Sequence, residues 1–518
     1  MANILISYFR SDEITAGTTL CFFQSLFQEL ANCGNNVLAI NDAYYGMFAT
    51  GKTDNKDVEH YLLQEAVDFD PDLIISFNHR ILLKILETID VPVVIYDGDE
   101  LRFFADLDVV KKNIDRYKVF SIVKDWRKSY LDFGFRDNQI FYMPAGTAIQ
   151  ANPNMRRSMN ISFLGQRRYF LSDKLKKCIR DGRDLDRLYD LYLEFLKTGN
   201  YNYEEMYYDL VGRYSELNMT DTDLWPLFDQ SYLVFAALLD LGLHLGGHEG
   251  GWRDIVDFIP QLALTHSKAR VFSLEENQRF YNSSLISLCP MHPQAKGKGF
   301  SWRCFDIMAS NACLVASYSS ELKKMVKDYV EIPMFHTPQQ ARELCKDLLG
   351  HPEKREALSA ASQKYVDENC RWISRFRDME QALGMRLITP GKKGTLKKLT
   401  DCPDGIRGLS CVIPVQSSSG VRLTGKRILN RLDRWHDKTI NPNFISSVSY
   451  GALVGCFLCV VLRLGALDLW FSSAVSNSLL YIAGGITILF VLALCVSFFF
   501  KFVYKLFRKA IFRIFKNS

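Results

Sequence analysis

The stretch 280–326 constrains the fold of this chain more than any other part of the sequence. It reads FYNSSLISLCPMHPQAKGKGFSWRCFDIMASNACLVASYSSELKKMV. The pattern predicts a short helix, a buried strand, a loop rich in glycine and lysine, a helix that begins near Arg303, and another buried strand. Loop glycines let backbone N–H groups approach a ligand, and a helix start adds positive partial charge. The stretch therefore predicts a site for an anion such as a nucleotide diphosphate.

Apolar strands alternate with helices through most of the first 385 residues. In the first 150 residues the pattern predicts strands at 3–8, 36–40, 73–76, 91–96, 118–123 and 140–143. A second series begins at ISFLG, residues 161–165, and an acidic, tyrosine-rich helical insertion interrupts it at 169–237. Such alternation predicts parallel sheets that are covered by helices on both faces. Because 518 residues are too many for one core, we expect an α/β fold with two domains, 1–150 and 151–385.

Two apolar runs near the C-terminus are long enough to cross a membrane. Residues 444–462 and 479–500 hold no charged residue, and a helix of about 20 residues spans the hydrocarbon core. The short segment between them predicts a transmembrane hairpin over 444–500. Basic residues flank both outer sides, so the positive-inside rule places both ends and the α/β domains in the cytoplasm. A single span with a re-entrant segment remains the alternative for the first run.

Basic residues are concentrated in the C-terminal part of the chain. Residues 386–440 hold 12 Lys/Arg and 4 Asp/Glu, and residues 441–518 hold 7 and 1. Because the whole chain has a net charge of +5, residues 1–385 carry an excess of about nine negative charges. This distribution argues against nucleic-acid binding and favours a tail held at an anionic membrane. We expect a flexible basic linker at 386–443 and a basic amphipathic tail at 501–518, along the lipid interface.

The remaining composition indicates a reduced, intracellular catalytic region. The 13 cysteines are scattered and do not form the spaced pairs of a zinc site. The N-terminus, MANILISYFRSDE, reads as a first strand rather than as a secretory signal. HLGGHE, which ends at Glu249, lacks the spacing of the helical zinc motif. We expect no protein-bound metal and no permanently bound cofactor.

Four segments of the second domain together form a family pattern. They are Gly250-Gly251-Trp252, the helical segment 275–281, GFSWRCFD at 299–306, and HPEKREALSAASQKYVDENCRW at 351–372. The chain thereby resembles the "glycosyl transferases group 1" proteins of the spore-maturation type. The resemblance implies the GT-B architecture, in which two Rossmann-like domains face a cleft. It also implies that a nucleotide sugar binds mainly to the second domain, while the acceptor approaches from the first.

The resemblance further implies which residues bind the donor. An acidic residue on the helix after the basic loop binds the ribose, and in this sequence it is Asp306. Related enzymes place two glutamates eight positions apart, but here the earlier position is Lys298, which suits neutralisation of the diphosphate. Arg303 and Asp306 share one side of the helix, and a surface ion pair is the alternative for these two. The full set of expected donor-binding residues is Gly165, Arg167, Arg168, His248, Lys298, Gly299, Ser301, Arg303 and Asp306.

Several of these candidates also have alternatives without a function. Arg167 and Arg168 follow the first strand of the second domain, where they would stabilise the departing diphosphate or simply form a solvated pair. His248 touches the substrate or is a structural loop histidine. In the first domain, Asp97 and Asp99 end a buried strand and would serve, with Arg303 opposite, as catalytic residues. Their alternative is to cap the turn that follows.

The sequence thus predicts a membrane-anchored, metal-independent glycosyltransferase that uses hexosyl or related nucleotide sugars. The acceptor would be a glycan, a lipid or a protein at the cytoplasmic membrane face, and the membrane would be a bacterial inner membrane. Membrane lipids are expected partners, and nucleic acids are not. A non-catalytic GT-B-like membrane scaffold that binds a nucleotide or a partner remains the alternative. An epimerase of nucleotide sugars is disfavoured by the membrane hairpin.

Overall fold

The computed structural model describes residues 1–47, 51–165, 231–247, 260–267, 270–290, 292 and 299–400. These residues all belong to one compact unit, Met1–Ile413. Within this described part, no helix is both long and apolar enough to cross a membrane. The predicted spans, the amphipathic tail and most of the predicted insertion 169–237 lie outside the described residues.

The first domain is built on a sheet of seven parallel strands. Its strands are β1 (Asn3–Tyr8), β2 (Asn36–Asn41), β3 (Leu73–Phe77), β4 (Val93–Asp97), β5 (Tyr117–Ser121), β6 (Ile140–Tyr142) and β12 (Leu396–Leu399). They lie in the order β12-β2-β1-β3-β4-β5-β6. Every residue of β3 and β4 is buried, as expected for parallel strands with helices on both faces.

The second domain has a smaller parallel sheet. Its strands are β7 (Met159–Leu164), β8 (Leu243–Gly246), β9 (Ser284–Cys289), β10 (Cys313–Ser317) and β11 (Met334–Phe335), in the order β11-β10-β9-β7-β8. The prediction of an α/β fold with two parallel sheets is therefore confirmed. The strands that were predicted agree in position with the observed strands to within a few residues, because apolar runs bounded by turn residues are strong local signals. Strand β11, which has only two residues, was not predicted.

Helices cover the faces of both sheets. In the first domain they are Ser11–Ala16, Cys21–Asn32, Lys56–Phe69, Leu83–Thr88, Leu107–Lys112 and Arg127–Phe133. From residue 231 onward they are Ser231–Ala237, Pro260–Thr265, Leu274–Asn282, Arg303–Met308, Ser320–Val326, Pro338–Gly350, Pro352–Asn369 and Trp372–Leu383. Local chemistry fixes several starts: Ser273 and Glu276 form a capping box before one helix, and Thr337 caps another at Pro338.

The C-terminal end of this unit differs from the prediction of a linker that begins at 386. The helix Trp372–Leu383 packs on the first sheet, where Trp372 and Phe376 join its core and Leu387 is fully buried. Strand β12 then pairs in parallel with β2. A Cβ atom at Gly394 would collide with the carbonyl oxygen of Asn35, so glycine at this position lets the chain pass close to Asn35 and reach the first sheet. The strand was missed because LKKL is short and lysine-rich, and its pairing depends on residues far away in the sequence.

Candidate functional site

The strand order of both sheets indicates a ligand site at the carboxyl ends of their strands. In each sheet the first and third strands of the domain are neighbours, β1 beside β3 and β7 beside β9. At such a point the connections leave to opposite sides, and ligands bind in the crevice outside the carboxyl ends of the strands. A cavity of about 390 Å³ lies at these carboxyl ends and is lined by residues of both domains.

The cavity brings together part of the predicted site. Asp99, Gly165, Ser301, Arg303 and Asp306 line it. Asp97 does not line it, and neither does Gly299, although its neighbour Phe300 does. Arg167, Arg168, His248 and Lys298 lie outside the described residues, so their roles stay predictions.

Arg303 lines the cavity on the side of the second domain. Its guanidinium lies 5.4 Å from the ring centroid of Phe163, at the end of β7. A Cβ atom at Gly165 would come within 3.3 Å of Nη2 of Arg303, so glycine gives the guanidinium its space there. Although burial acts to lower the pKa of Arg303, Tyr281 and Cys289 raise it above its usual value. The side chain is therefore a permanent cation.

One donor of this cation has no partner in the part of the chain that the structure describes. Among the described residues, nothing accepts a hydrogen bond from the buried Nη1 of Arg303. A buried, unsatisfied donor is unfavourable, and donors on charged groups bind anions more strongly than neutral donors do. The arrangement suits an anionic ligand in the cavity.

Asp306 lies one helical turn from Arg303 and is tied to the first domain. Thr147 Oγ1 donates a hydrogen bond of 2.5 Å to Oδ1 of Asp306. Burial raises the pKa of Asp306 to about 6, although this hydrogen bond and the charge of Arg303 oppose the shift. No ion pair joins Arg303 and Asp306, both of which are described, so the surface ion pair considered above is absent. Asp306 is thus available to accept hydrogen bonds from a ligand.

The two aspartates after β4 have different environments. Asp97 is fully buried, and its Oδ1 accepts hydrogen bonds from the backbone N–H of Asp99 (3.0 Å) and Glu100 (2.9 Å). Its Oδ2 accepts one from the hydroxyl of Tyr130. Asp97 therefore caps the turn, which was the alternative to its predicted catalytic role. Its buried oxygens are occupied because an isolated carboxylate is strongly unfavourable in the interior.

Asp99 is exposed and lines the cavity. Asn78 Nδ2 donates to Oδ2 of Asp99 at 2.7 Å, and Asn78 Oδ1 accepts from the N–H of Gly98 at 3.0 Å. Desolvation in the cleft raises the pKa of Asp99, although the bond from Asn78 and the charges of Arg10 and Arg80 act to lower it. Asn78 adopts a positive φ of 53° and Glu100 one of 79°, and such backbone conformations are common at functional sites.

Sequence reasoning missed three charged residues of the cavity: Arg10, Asp12 and Arg270. Arg10 and Asp12 form an ion pair directly after β1. Arg270 of the second domain lies over the ring of Phe272 and donates to the carbonyl oxygen of Thr15 at 2.8 Å. The position of Arg10 and Asp12 after the first strand could have indicated them. Arg270 lies in a stretch without a periodic pattern, so no local signal was available.

Within the described ranges, no group of three or more His, Cys, Asp or Glu residues could hold a metal ion.

One family model matches part of the second domain. Residues 232–381 match the family model described as glycosyl transferase-like. The second domain is similar to glycosyl transferases. The matched range contains Arg270, Ser301, Arg303 and Asp306, which line the cavity. No curated protein matches the chain.

Three solved structures of similar architecture are distant from this chain in sequence. HepE of Anabaena, solved in complex with UDP and glucose, is 11% identical, with 74% of this chain and 100% of that chain covered and a TM-score of 0.45. Sucrose-phosphate synthase of Thermosynechococcus elongatus is 12% identical, with 73% and 98% covered and a TM-score of 0.45. A glycosyltransferase of Rickettsia africae is 9% identical, with 74% and 100% covered and a TM-score of 0.42. At such distances the likenesses carry no conclusion about the activity of this chain.

Proposed function

We propose that this protein transfers a sugar from a nucleotide sugar to an acceptor in the cavity between its two domains. The observation that carries the proposal is the buried, charged donor Nη1 of Arg303, which has no partner among the described residues and lies with Asp306 in the glycosyl transferase-like range. The donor binds against the second domain, and the acceptor approaches from the side of Asp99. UDP sugars are the first donors to test, because the structure of HepE contains UDP.

The chemistry requires a cation at the departing group. When the bond between the sugar C1 and the diphosphate oxygen breaks, its electron pair stays on the diphosphate, which gains negative charge. A positioned guanidinium stabilises this charge without any rearrangement during the reaction. Arg303 has this role, and Arg167, Arg168 and Lys298 are proposed to add positive charge. Ser301 and Gly299 belong to the loop that holds the donor.

Asp306 is proposed to accept hydrogen bonds from the ribose, and this role predicts a pH dependence. With a pKa of about 6, the carboxyl group is mostly ionised at pH 7.5 and mostly protonated at pH 5.5. If only the ionised form accepts both ribose hydroxyls, nucleotide affinity should fall about fourfold over this range.

Calorimetric titration of UDP from pH 5.5 to 7.5, with wild type and Asp306→Asn, measures this effect. The comparison separates the titration of Asp306 from that of the nucleotide phosphates. In Asp306→Asn, the fourfold fall in affinity that is due to Asp306 should be absent. An identical pH profile in both proteins would remove Asp306 from the site.

Asp99 is proposed as the general base that takes the proton of the acceptor hydroxyl. Replacing it by asparagine should lower kcat for transfer about 10²-fold, with little effect on the melting temperature, because its side chain is exposed to the cleft. Asp97→Asn is the matched variant, and it should mainly lower stability because Asp97 is buried and hydrogen-bonded. If Asp99→Asn keeps full kcat, another group is the base.

The predicted membrane segments complete the proposal. We place residues 444–462 and 479–500 across a bacterial inner membrane, with the α/β domains in the cytoplasm, where nucleotide sugars are made. The acceptor is then a glycan, lipid or protein at that membrane face. The full chain should stay with the membrane fraction after an alkaline carbonate wash. Its release into the supernatant would exclude integral spans.

A screen of nucleotide sugars with the full chain tests the activity itself. UDP-, GDP- and ADP-linked hexoses should include at least one that raises the melting temperature and that the protein hydrolyses or transfers. Donor binding without turnover would instead favour a non-catalytic scaffold. Interconversion of the free nucleotide sugar would indicate an epimerase.

A further inference from the structure

The last described strand places one lysine inside the first domain. Side chains alternate across a strand, so the adjacent lysines of β12 point to opposite faces of the sheet. Lys397 forms an ion pair with Glu65, and its side chain is 58% exposed. Lys398 points to the other face, where its side chain is only 16% exposed. Sequence alone assigned both lysines to a flexible linker.

Lys398 pairs with a carboxylate that has no contact with solvent. Glu13 is fully buried, and its Oε2 accepts hydrogen bonds from Lys398 Nζ at 2.6 Å and from the Tyr8 hydroxyl at 2.9 Å. Its Oε1 accepts one from the backbone N–H of Leu20 at 2.9 Å. Lys398 Nζ also donates to Thr19 Oγ1 at 2.7 Å. One ammonium group thus joins both ends of the segment 13–19.

This segment lies between residues that form the cavity wall. Arg10 and Asp12 precede it, and Leu20, Cys21 and Phe22 follow it; all five line the cavity. Within the segment, the carbonyl oxygen of Thr15 accepts a hydrogen bond from Arg270 of the second domain. The helix Ser11–Ala16 is short, so few hydrogen bonds of its own fix its position. Contacts from outside the segment therefore matter for its geometry.

Of the two adjacent lysines, only Lys398 is expected to affect the cavity wall. Removing one partner of a buried ion pair leaves an uncompensated charge, so the segment would shift to bring Glu13 toward water. Such a shift would move Arg10 and Asp12 directly, and Arg270 through Thr15. By contrast, loss of the exposed pair between Lys397 and Glu65 would leave the cavity wall in place.

We propose that Lys398 is a positioning residue of the cavity, which holds the segment 10–22 in the shape that binds the ligand. It acts through Glu13 and Thr19 and does not touch the ligand. The choice of nucleotides as probes rests on the proposed function, but the effect on the segment does not. Strand β12, which the sequence assigned to the basic linker, thereby supports the binding site without lining the cavity.

The first test measures ligand affinity in the full chain in detergent. UDP, GDP and ADP are titrated, and the nucleotide that binds the wild type is used for the variants. Lys398→Met should weaken its affinity about tenfold, because the cavity wall is displaced. The matched variant Lys397→Met should stay within about twofold of wild type, and Lys398→Arg should restore most of the affinity because it keeps the charge. Equal affinities of Lys398→Met and Lys397→Met would overturn the proposal.

The second test needs no ligand and separates this proposal from the proposed function. Amide hydrogen exchange should become faster at residues 13–22 in Lys398→Met and in Glu13→Gln, and stay unchanged there in Lys397→Met. Protection of β3 and β4 should stay the same in all three variants. If wild type binds no nucleotide but the exchange pattern appears, the proposed function fails and the positioning role stands. Uniform loss of protection across the first domain, or no change at 13–22, would overturn the positioning role.

Discussion

Replacing Arg303 by alanine should lower kcat/KM for sugar transfer by about 10²–10³-fold, the usual effect of removing one group that stabilises developing negative charge. The expectation follows from position and charge: Arg303 lines the cavity, its guanidinium lies over Phe163, and its buried Nη1 has no partner among the described residues. Because charge develops on the leaving diphosphate, the loss should be greater in kcat than in KM. Steady-state kinetics with the best donor of the screen measure both constants.

A matched control shows whether this loss belongs to the site. Arg279 lies in the same domain, but its side chain is 64% exposed and pairs with Glu275 on the surface. Arg279→Ala should therefore keep the kinetics of wild type. Binding gives a second comparison, since Arg303→Ala should weaken UDP much more than uridine, which has no phosphate. If UDP and uridine weaken equally, Arg303 does not contact the diphosphate.

Replacing Trp372 by alanine should lower the free energy of unfolding by about 3–5 kcal/mol, the usual cost of removing a fully buried large aromatic side chain. Trp372 is 1% exposed, and its side chain packs into the core between its own helix, 372–383, and the first sheet. Its ring lies 5.6 Å from that of Phe22, and its Nε1 donates to Ser25 Oγ at 2.9 Å. The substitution leaves a cavity and removes the hydrogen bond that Ser25 Oγ accepts, although this hydroxyl still donates to the carbonyl oxygen of Phe22.

Urea unfolding of the full chain in detergent, followed by tryptophan fluorescence and by circular dichroism, measures this loss. The neighbouring Ile373 is 37% exposed on the same helix and provides the control. Ile373→Ala should cost roughly 1 kcal/mol or less. If Trp372→Ala is no more destabilising than Ile373→Ala, the helix 372–383 does not hold the C-terminal part of the chain on the first domain.

The fold could be predicted from the sequence where the signals are local. Apolar runs such as 73–77 and 284–289 are bounded by turn residues, so strands β3 and β9 were recognisable without any tertiary information. Strand β12 could not be recognised in this way. Its LKKL sequence resembles a linker, and only its pairing with β2 and the bond from Lys398 to Glu13 show its place.

The site residues likewise fall into those with a local sequence signal and those that depend on contacts between distant parts of the chain. The glycine and lysine loop and the helix of Arg303 were visible because sequence order alone places them after a strand. Asp97 and Asp99 looked equivalent in the sequence, and only burial separated the turn cap from the residue in the cavity. Arg270 was invisible, since its importance depends on the carbonyl oxygen of Thr15, 255 residues away in the chain.

The most direct measurement of the central claim is turnover of a nucleotide sugar by the purified full chain. The protein is incubated with UDP-, GDP- or ADP-linked hexoses and bacterial membrane extract, and release of the nucleoside diphosphate is followed together with labelled sugar in the extract. We expect one donor class to give both signals, and we expect Arg303→Ala to lower both by about 10²–10³-fold while Arg279→Ala retains them. Absence of both signals with every donor, or equal signals from wild type and Arg303→Ala, would contradict the account.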